Sequence, residues 1–291
     1  MQRNKISHSE AELFDKCKRQ HMYSYGYGIM GKKESDALTR GIVGHALLRD
    51  YFLGLKDGSS VEVMRKDLLA KILPTLETFE LYDPTDLAQS LIKLFMDYFK
   101  VNAERDESLE ILEVEKEYRI PLGDDYEAHM FIDLILRRPG VPGIEVWDHK
   151  FIYDFSDDDV KDLLPQLPRY LGALRADGYN VTRAAYHELR YRVTNESKVD
   201  PSVRFRLSPI EISQKRVETT MLEWIDLAEE IREYRKLPIE DWSVKARRTA
   251  NQMNCRSCSF RMICKEELND RDINLTLTYD YQPKKMREAN L

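Results

Sequence analysis

The chain has 291 residues, of which 51 are acidic and 45 basic, for a net charge of -6. At 42% hydrophobic and 33% charged it has too many large apolar side chains for intrinsic disorder, and it is long enough to bury a substantial core. The acidic balance argues against a nonspecific nucleic-acid coat but not against a local basic groove beside catalytic carboxylates. No apolar run is long enough to span a bilayer and the start MQRNKISHSE lacks a secretory pattern, so a cytoplasmic protein without membrane partners is the expectation.

Ser7 and Ser9 stand three residues before Glu10 and Glu12, a capping-box spacing that predicts a helix carrying Leu13, Phe14 and Cys17, ended by Gly26, Gly28 and Gly31. Apolar residues at helical spacing predict a second helix over Ala37–Leu55 with His45 beside its stripe, and further helices near 60–80 and 84–104. The pattern then alternates. Strands are predicted over Ile111–Ile120, His129–Arg137 and Ile144–Phe151 as an antiparallel meander, the last two separated by PGVPG. A helix follows over Asp158–Asp177, then strands over Arg183–Val193 and Val203–Ile212, and a long helix over Ser213–Arg235. The acidic stretch Asp154–Asp162 reads as a solvated loop and helix start, and the segment after Asp270 as a loosely packed polar tail.

Three of the four cysteines form Cys255-x2-Cys258-x5-Cys264, and Cys17 lies 238 positions earlier. Thiolates at such spacing can converge on one metal centre. Their type and number admit either zinc or an iron-sulfur cluster, and the grouping of three with one apart leans toward iron. A shared centre would close the chain ends together and make ligation contribute to the folding energy.

Asp133 interrupts an apolar strand, and Asp148 and Lys150 are two apart, so they project from one face of the next strand. Two carboxylates and a lysine suit Mg2+ or Mn2+ and hydrolytic attack on a phosphodiester. D-x-K alone is weak, but here it stands in order with His45, Glu115, Asp133, His149 and the pair Gln166-x3-Tyr170. No G-x4-G-K-[ST] segment is present, so the chain carries no helicase motor of its own. Lys245, Arg247, Arg248, Arg256, Arg261 and Lys265 form a local basic stretch, and Tyr23, Tyr25 and Tyr27 read as core residues that are also able to stack on bases.

On these residues the chain resembles the RecB-like branch of the PD-(D/E)XK nucleases, and more closely its iron-sulfur members, the AddB nuclease domain and the CRISPR-adaptation exonucleases. The family's histidine helix matches Gly41-Ile42-Val43-Gly44-His45, its G-x-I-D strand matches Phe131-Ile132-Asp133 with His129 where glycine is usual, and its D-x-K strand matches Asp148-His149-Lys150. The resemblance implies an α/β restriction-endonuclease-like core, a mixed central sheet flanked by helices, with N- and C-terminal helical regions joined by a [4Fe-4S] cluster on Cys17, Cys255, Cys258 and Cys264. It implies His45, Asp133, Asp148 and the His149 carbonyl as Mg2+ or Mn2+ ligands and Lys150 as catalytic lysine. Glu115 joins the carboxylates, with Glu113 and Glu117 as alternatives, and Gln166 and Tyr170 are the DNA contacts.

The implied organisation is one nuclease domain over residues 1–270, followed by a tail over 271–291. Within the domain, residues 1–105 form an N-terminal helical region, 106–212 the nuclease core, and 213–270 a C-terminal helix and cysteine group. The implied activity is exonuclease action on single-stranded DNA ends in recombination, repair or foreign-DNA processing, alongside a helicase or adaptation partner. A catalytically silent DNA-binding subunit and a zinc-organised interaction module are the alternatives.

Overall fold

A computed structural model describes residues 5–32, 35–79, 84–123, 126–193 and 199–284. The chain forms two compact units: a sheet unit of Ser35–Tyr118 and Phe131–Met221, and a terminal unit of Met1–Glu34, Arg119–Met130 and Leu222–Leu291. Among the described residues no helix is long and apolar enough to cross a membrane.

The sheet unit opens with three helices, α3 (Asp36–Lys56), α4 (Val61–Glu77) and α5 (Thr85–Glu107). Ser35 and Ser60 start the first two, each accepting a hydrogen bond from a backbone N–H three residues on and so satisfying a donor that the helix leaves open. Their apolar stripes, including Leu47, Phe52, Leu68, Ile72, Leu91 and Phe95, pack with Leu134, Trp147 and Leu189 of the sheet into one core. Each such side chain contributes about 1.5–3 kcal/mol by leaving water.

The strands are β3 (Glu110–Pro121), β4 (Glu127–Arg137), β5 (Ile144–Ile152), β6 (Val181–Arg190) and β7 (Phe205–Ile210). β3 pairs β4, β4 runs antiparallel to β5, β5 parallel to β6, and β6 antiparallel to β7, so the sheet is mixed. In the parallel pair Asp148 lies opposite Tyr186 and Lys150 opposite Glu188. A parallel pair needs a crossover, and α6 (Asp158–Lys161) and α7 (Gln166–Ala176) supply it. The single helix expected over Asp158–Asp177 is therefore two. Pro165 has no N–H to continue the first, and the chain restarts with Gln166 as the first helical residue.

In the terminal unit β1 (Lys5–Ser7) pairs parallel with the beginning of β4, Ile6 opposite Ala128. Ser7 caps α1 (His8–Lys16) as its spacing predicts, accepting from Glu10 N at 3.1 Å. That helix does not run through Cys17. Cys17 is extended (φ -164°, ψ 107°) and separates α1 from the short α2 (Lys18–His21), which continues into a π-helical turn over Met22–Gly26. After α8 (Gln214–Arg235) come α9 (Ile239–Lys245), α10 (Gln252–Arg256), α11 (Arg261–Leu268) and α12 (Asn274–Asp280). A small core of Met22, Tyr23, Trp242, Phe260, Ile263 and Tyr281 holds this unit. The segment expected to be a loose tail is thus partly structural: β8 (Tyr281–Pro283) pairs antiparallel with β2 (Ile29–Gly31), and Tyr281 stacks on Phe260 with ring centres 5.6 Å apart.

Candidate active site and cysteine group

Strand alternation and one close helix approach assemble the site in the sheet unit. Gly44 makes the approach of α3 to β5 possible: a Cβ there would lie 2.3 Å from the Phe151 ring. The next residue, His45, consequently sits with Nδ1 3.4 Å from Asp133 Oδ2. Glu115 completes a group in which one ligand atom each from His45, Glu115 and Asp133 lies within 4.8 Å of the others. Glu115 has φ of +46°, a left-handed conformation rare for a non-glycine residue in a strand. Its neighbour Glu113 is instead paired with Lys56 at 2.9 Å and Lys116 at 3.3 Å. Two carboxylates and an imidazole so close together fit a hard divalent cation, which offsets their mutual repulsion.

Asp148 and Lys150 stand beside that group as a pair of their own. Lys150 Nζ is 2.7 Å from the buried Asp148 Oδ2, for which no donor among the described residues is aligned for a hydrogen bond. Gln166 ties the pair together: Oε1 accepts from Lys150 Nζ, and Nε2 donates to Asp148 Oδ1 and to the Tyr170 hydroxyl, each at 2.8 Å. Tyr170 is 4% exposed. Burial, reinforced by the charges of Asp148 and Asp133, pushes its phenol well above the usual range. Gln166 and Tyr170, expected as DNA contacts, are thus bonded to each other and, through Gln166, to Asp148 and Lys150.

His149 points away from Asp148 and Lys150, as alternation requires, and its backbone N–H donates to Asp133 Oδ2 at 2.7 Å. Its ring meets His187 of β6, Nδ1 to Nδ1 at 3.0 Å, and His187 Nε2 lies 3.4 Å from Arg105. Arginine only donates, so His187 Nε2 accepts, its Nδ1 carries the proton, and His149 Nδ1 is the acceptor. Burial holds both imidazoles well below their usual range, with the charges of His45, Arg105 and Lys150 adding to the effect on His149 and those of Arg105 and His149 to that on His187. Arg105 is fixed in turn by the buried Asp106, which also accepts from Tyr51 and Tyr98. Sequence patterns did not single out His187, Arg105 or Asp106. The available signal was His187 and Glu188 in the otherwise apolar run AAYHEL.

In the terminal unit all four cysteines are free and half-buried. Burial raises the Cys258 thiol, and Cys17, Cys264 and Cys255 are near enough for their charge to raise it further. Arg248 Nε donates to Cys264 Sγ at 3.1 Å and its guanidinium pairs with Glu267 at 2.8 Å, so this section of the basic stretch is engaged within the protein. Four thiols suit a thiolate-ligated metal centre in type and number, but among the described residues the compact group of ligand atoms is that of His45, Glu115 and Asp133, and the four sulfurs do not form another. Tyr23 is buried against Phe260, the core role expected for it, whereas Tyr27 is 46% exposed.

A family model described as PD-(D/E)XK nuclease superfamily matches residues 5–265. A solved structure described as "Crystal structure of SSO0001" is 16% identical, covering 91% of this chain and 87% of its own, with a TM-score of 0.38. No curated protein matches significantly.

Proposed function

We propose that this chain, which belongs to the PD-(D/E)XK nuclease superfamily, is a metal-dependent deoxyribonuclease that removes nucleotides from DNA ends, single-stranded ends in particular. The observation that carries this reading is the convergence of His45, Glu115 and Asp133 within 4.8 Å of one another. Asp148 and Lys150, 2.7 Å apart, stand beside it.

His45, Glu115 and Asp133 would hold Mg2+ or Mn2+, Asp148 and the His149 carbonyl would be further ligands, and the ion would supply Lewis-acid polarisation of a phosphoryl oxygen. Asp148 and Gln166 hold the Lys150 ammonium at a set position in the site. From there Lys150 orients the attacking water, manages its proton and stabilises charge developing on the phosphate. The His149 N–H and His45 fix Asp133 Oδ2, so the carboxylate is oriented before substrate arrives.

In the terminal unit we assign Cys17, Cys255, Cys258 and Cys264 to a [4Fe-4S] cluster that acts as a clasp between chain ends; the number of free thiols and their C-x2-C-x5-C spacing support this. The processing of DNA ends in recombination, repair or defence against foreign DNA, with a helicase or adaptation protein as partner, is the setting that such an activity suits.

Digestion of 5'- and 3'-labelled single- and double-stranded DNA with Mg2+ or Mn2+ tests the activity. Cleavage by the wild type that falls about 10²–10⁴-fold in Lys150→Ala is the expected result. Equal trace products from both proteins would overturn it and favour a silent DNA-binding subunit. Visible absorbance with bound iron and sulfide supports the cluster, whereas colourless protein with stoichiometric zinc rejects it.

A further inference from the structure

The ends of β5 and β6 carry an aromatic and cationic group that the proposed chemistry does not use. Tyr153 follows the end of β5, three residues past Lys150, and is 56% exposed. At about 3.3 Å per residue it lies roughly 10 Å further along the chain. The exposed Arg192 places its guanidinium 5.3 Å from the centre of the Tyr153 ring. Tyr191 meets Tyr153 edge to face at 6.0 Å, and Arg40 covers Tyr191 at 4.0 Å.

Arg40 belongs to α3, five residues before His45, which is about 7.5 Å of helix rise. The group therefore draws on the same helix and strand that bear the candidate metal ligands and lysine. Its charge also distinguishes it from its surroundings. Nearby Arg190 and Arg206 flank Phe155 but are paired with Asp154, Glu188 and Asp158. Among the described residues no carboxylate lies within ion-pair distance of Arg40 or Arg192, although Asp36, one turn earlier on α3, acts on Arg40 at longer range, and the buried Arg40 Nε has no hydrogen-bond partner.

An exposed tyrosine face flanked by guanidiniums has a specific chemical complement, an unpaired base on a phosphate backbone. A duplex hides base faces in its stack and offers only its phosphates. Resting on the nuclease reading above, we propose that Tyr153, Tyr191, Arg40 and Arg192 form a subsite for unpaired DNA beside the reacting phosphate. A base stacks on Tyr153 while Arg40 and Arg192 take backbone phosphates. At the B-form spacing of ~3.4 Å the subsite lies about three nucleotides from Lys150, and fewer on a stretched strand. It selects single-stranded over double-stranded ends through stacking that a duplex cannot offer.

The test uses the full chain in EDTA, with a fluorescein-labelled oligo-dT strand and a labelled blunt duplex of equal length followed by anisotropy. Tyr153→Ala is expected to weaken oligo-dT binding roughly 5- to 100-fold and duplex binding far less, and Arg192→Ala to weaken binding of both, with the thermal midpoint unchanged in each. In Tyr153→Trp the tryptophan emission should be quenched as oligo-dT is added. Unchanged oligo-dT affinity in Tyr153→Ala, equal losses on both DNAs in that variant, or no quenching would overturn the subsite. The two readings fail separately: wild type that never cleaves while Tyr153→Ala loses oligo-dT binding refutes the nuclease, and wild type that cleaves while Tyr153→Ala binds normally refutes the subsite.

Discussion

Glu115 shows how one residue's backbone can decide between chemically equivalent neighbours. Glu113, Glu115 and Glu117 alternate along β3, and their spacing alone does not choose among them. The left-handed φ of +46° at Glu115 and its closeness to His45 and Asp133 distinguish it, while Glu113 is held by two lysines. Glu115→Gln is therefore expected to abolish Mn2+ binding measured by calorimetry or electron paramagnetic resonance. Glu113→Ala should leave that binding intact and alter stability by at most about 1 kcal/mol, since its pairs are partly exposed. His187 has a different role. His187→Ala deprives the buried His149 Nδ1 of its donor, and denaturant melts should show a loss of about 1–3 kcal/mol.

At the scale of elements, the contact between α3 and β5 sets the site. Gly44→Ala introduces a methyl group 2.3 Å from the Phe151 ring, a planar group packed against the core. Overpacking of this kind costs about 1–3 kcal/mol, more than the roughly 1 kcal/mol of helix propensity that alanine returns. The variant should melt earlier and bind Mn2+ more weakly, and Phe151→Leu in the same chain should recover some of both. Gly54 of the same helix faces Met64, whose flexible thioether can swing aside, so Gly54→Ala should be the milder change. The crossover has the same lesson in reverse. Pro165 was visible in the sequence, yet periodicity alone ran one helix through it, because apolar spacing carries no account of a missing N–H.

At the scale of the whole molecule, each unit has its own polar anchor besides its core. In the terminal unit Glu10 is buried with His21 at 2.9 Å and Arg235 at 2.6 Å. Burial alone would raise the Glu10 carboxyl, but these partners outweigh it and hold the carboxyl below its usual range. A depressed native value means stability that is present above the unfolded pKa of about 4.3 and lost as the pH falls through the native one. Glu10→Ala should cost about 3–5 kcal/mol at neutral pH, with the gap to wild type closing as melts are taken below about pH 4. The proposed clasp is tested on the same scale. Cys17→Ala should lose visible absorbance and melt earlier, whereas Asp148→Ala should keep both the absorbance and the fold while losing cleavage.

Alternation in HMFIDLILR and IEVWDHKF was enough to place Asp133, Asp148 and Lys150 on neighbouring strands, because a period of two is a local property of extended backbone. Cysteine number and spacing were equally legible, and so was the serine cap of α1, which depends on residues three apart. Tertiary structure alone decided which glutamate approaches His45, that Gln166 links Lys150 to Asp148, and that His187 and Arg105 stand behind His149. Those pairings join residues far apart in the chain, and they depend on strand register and close helix approach rather than on any local repeat.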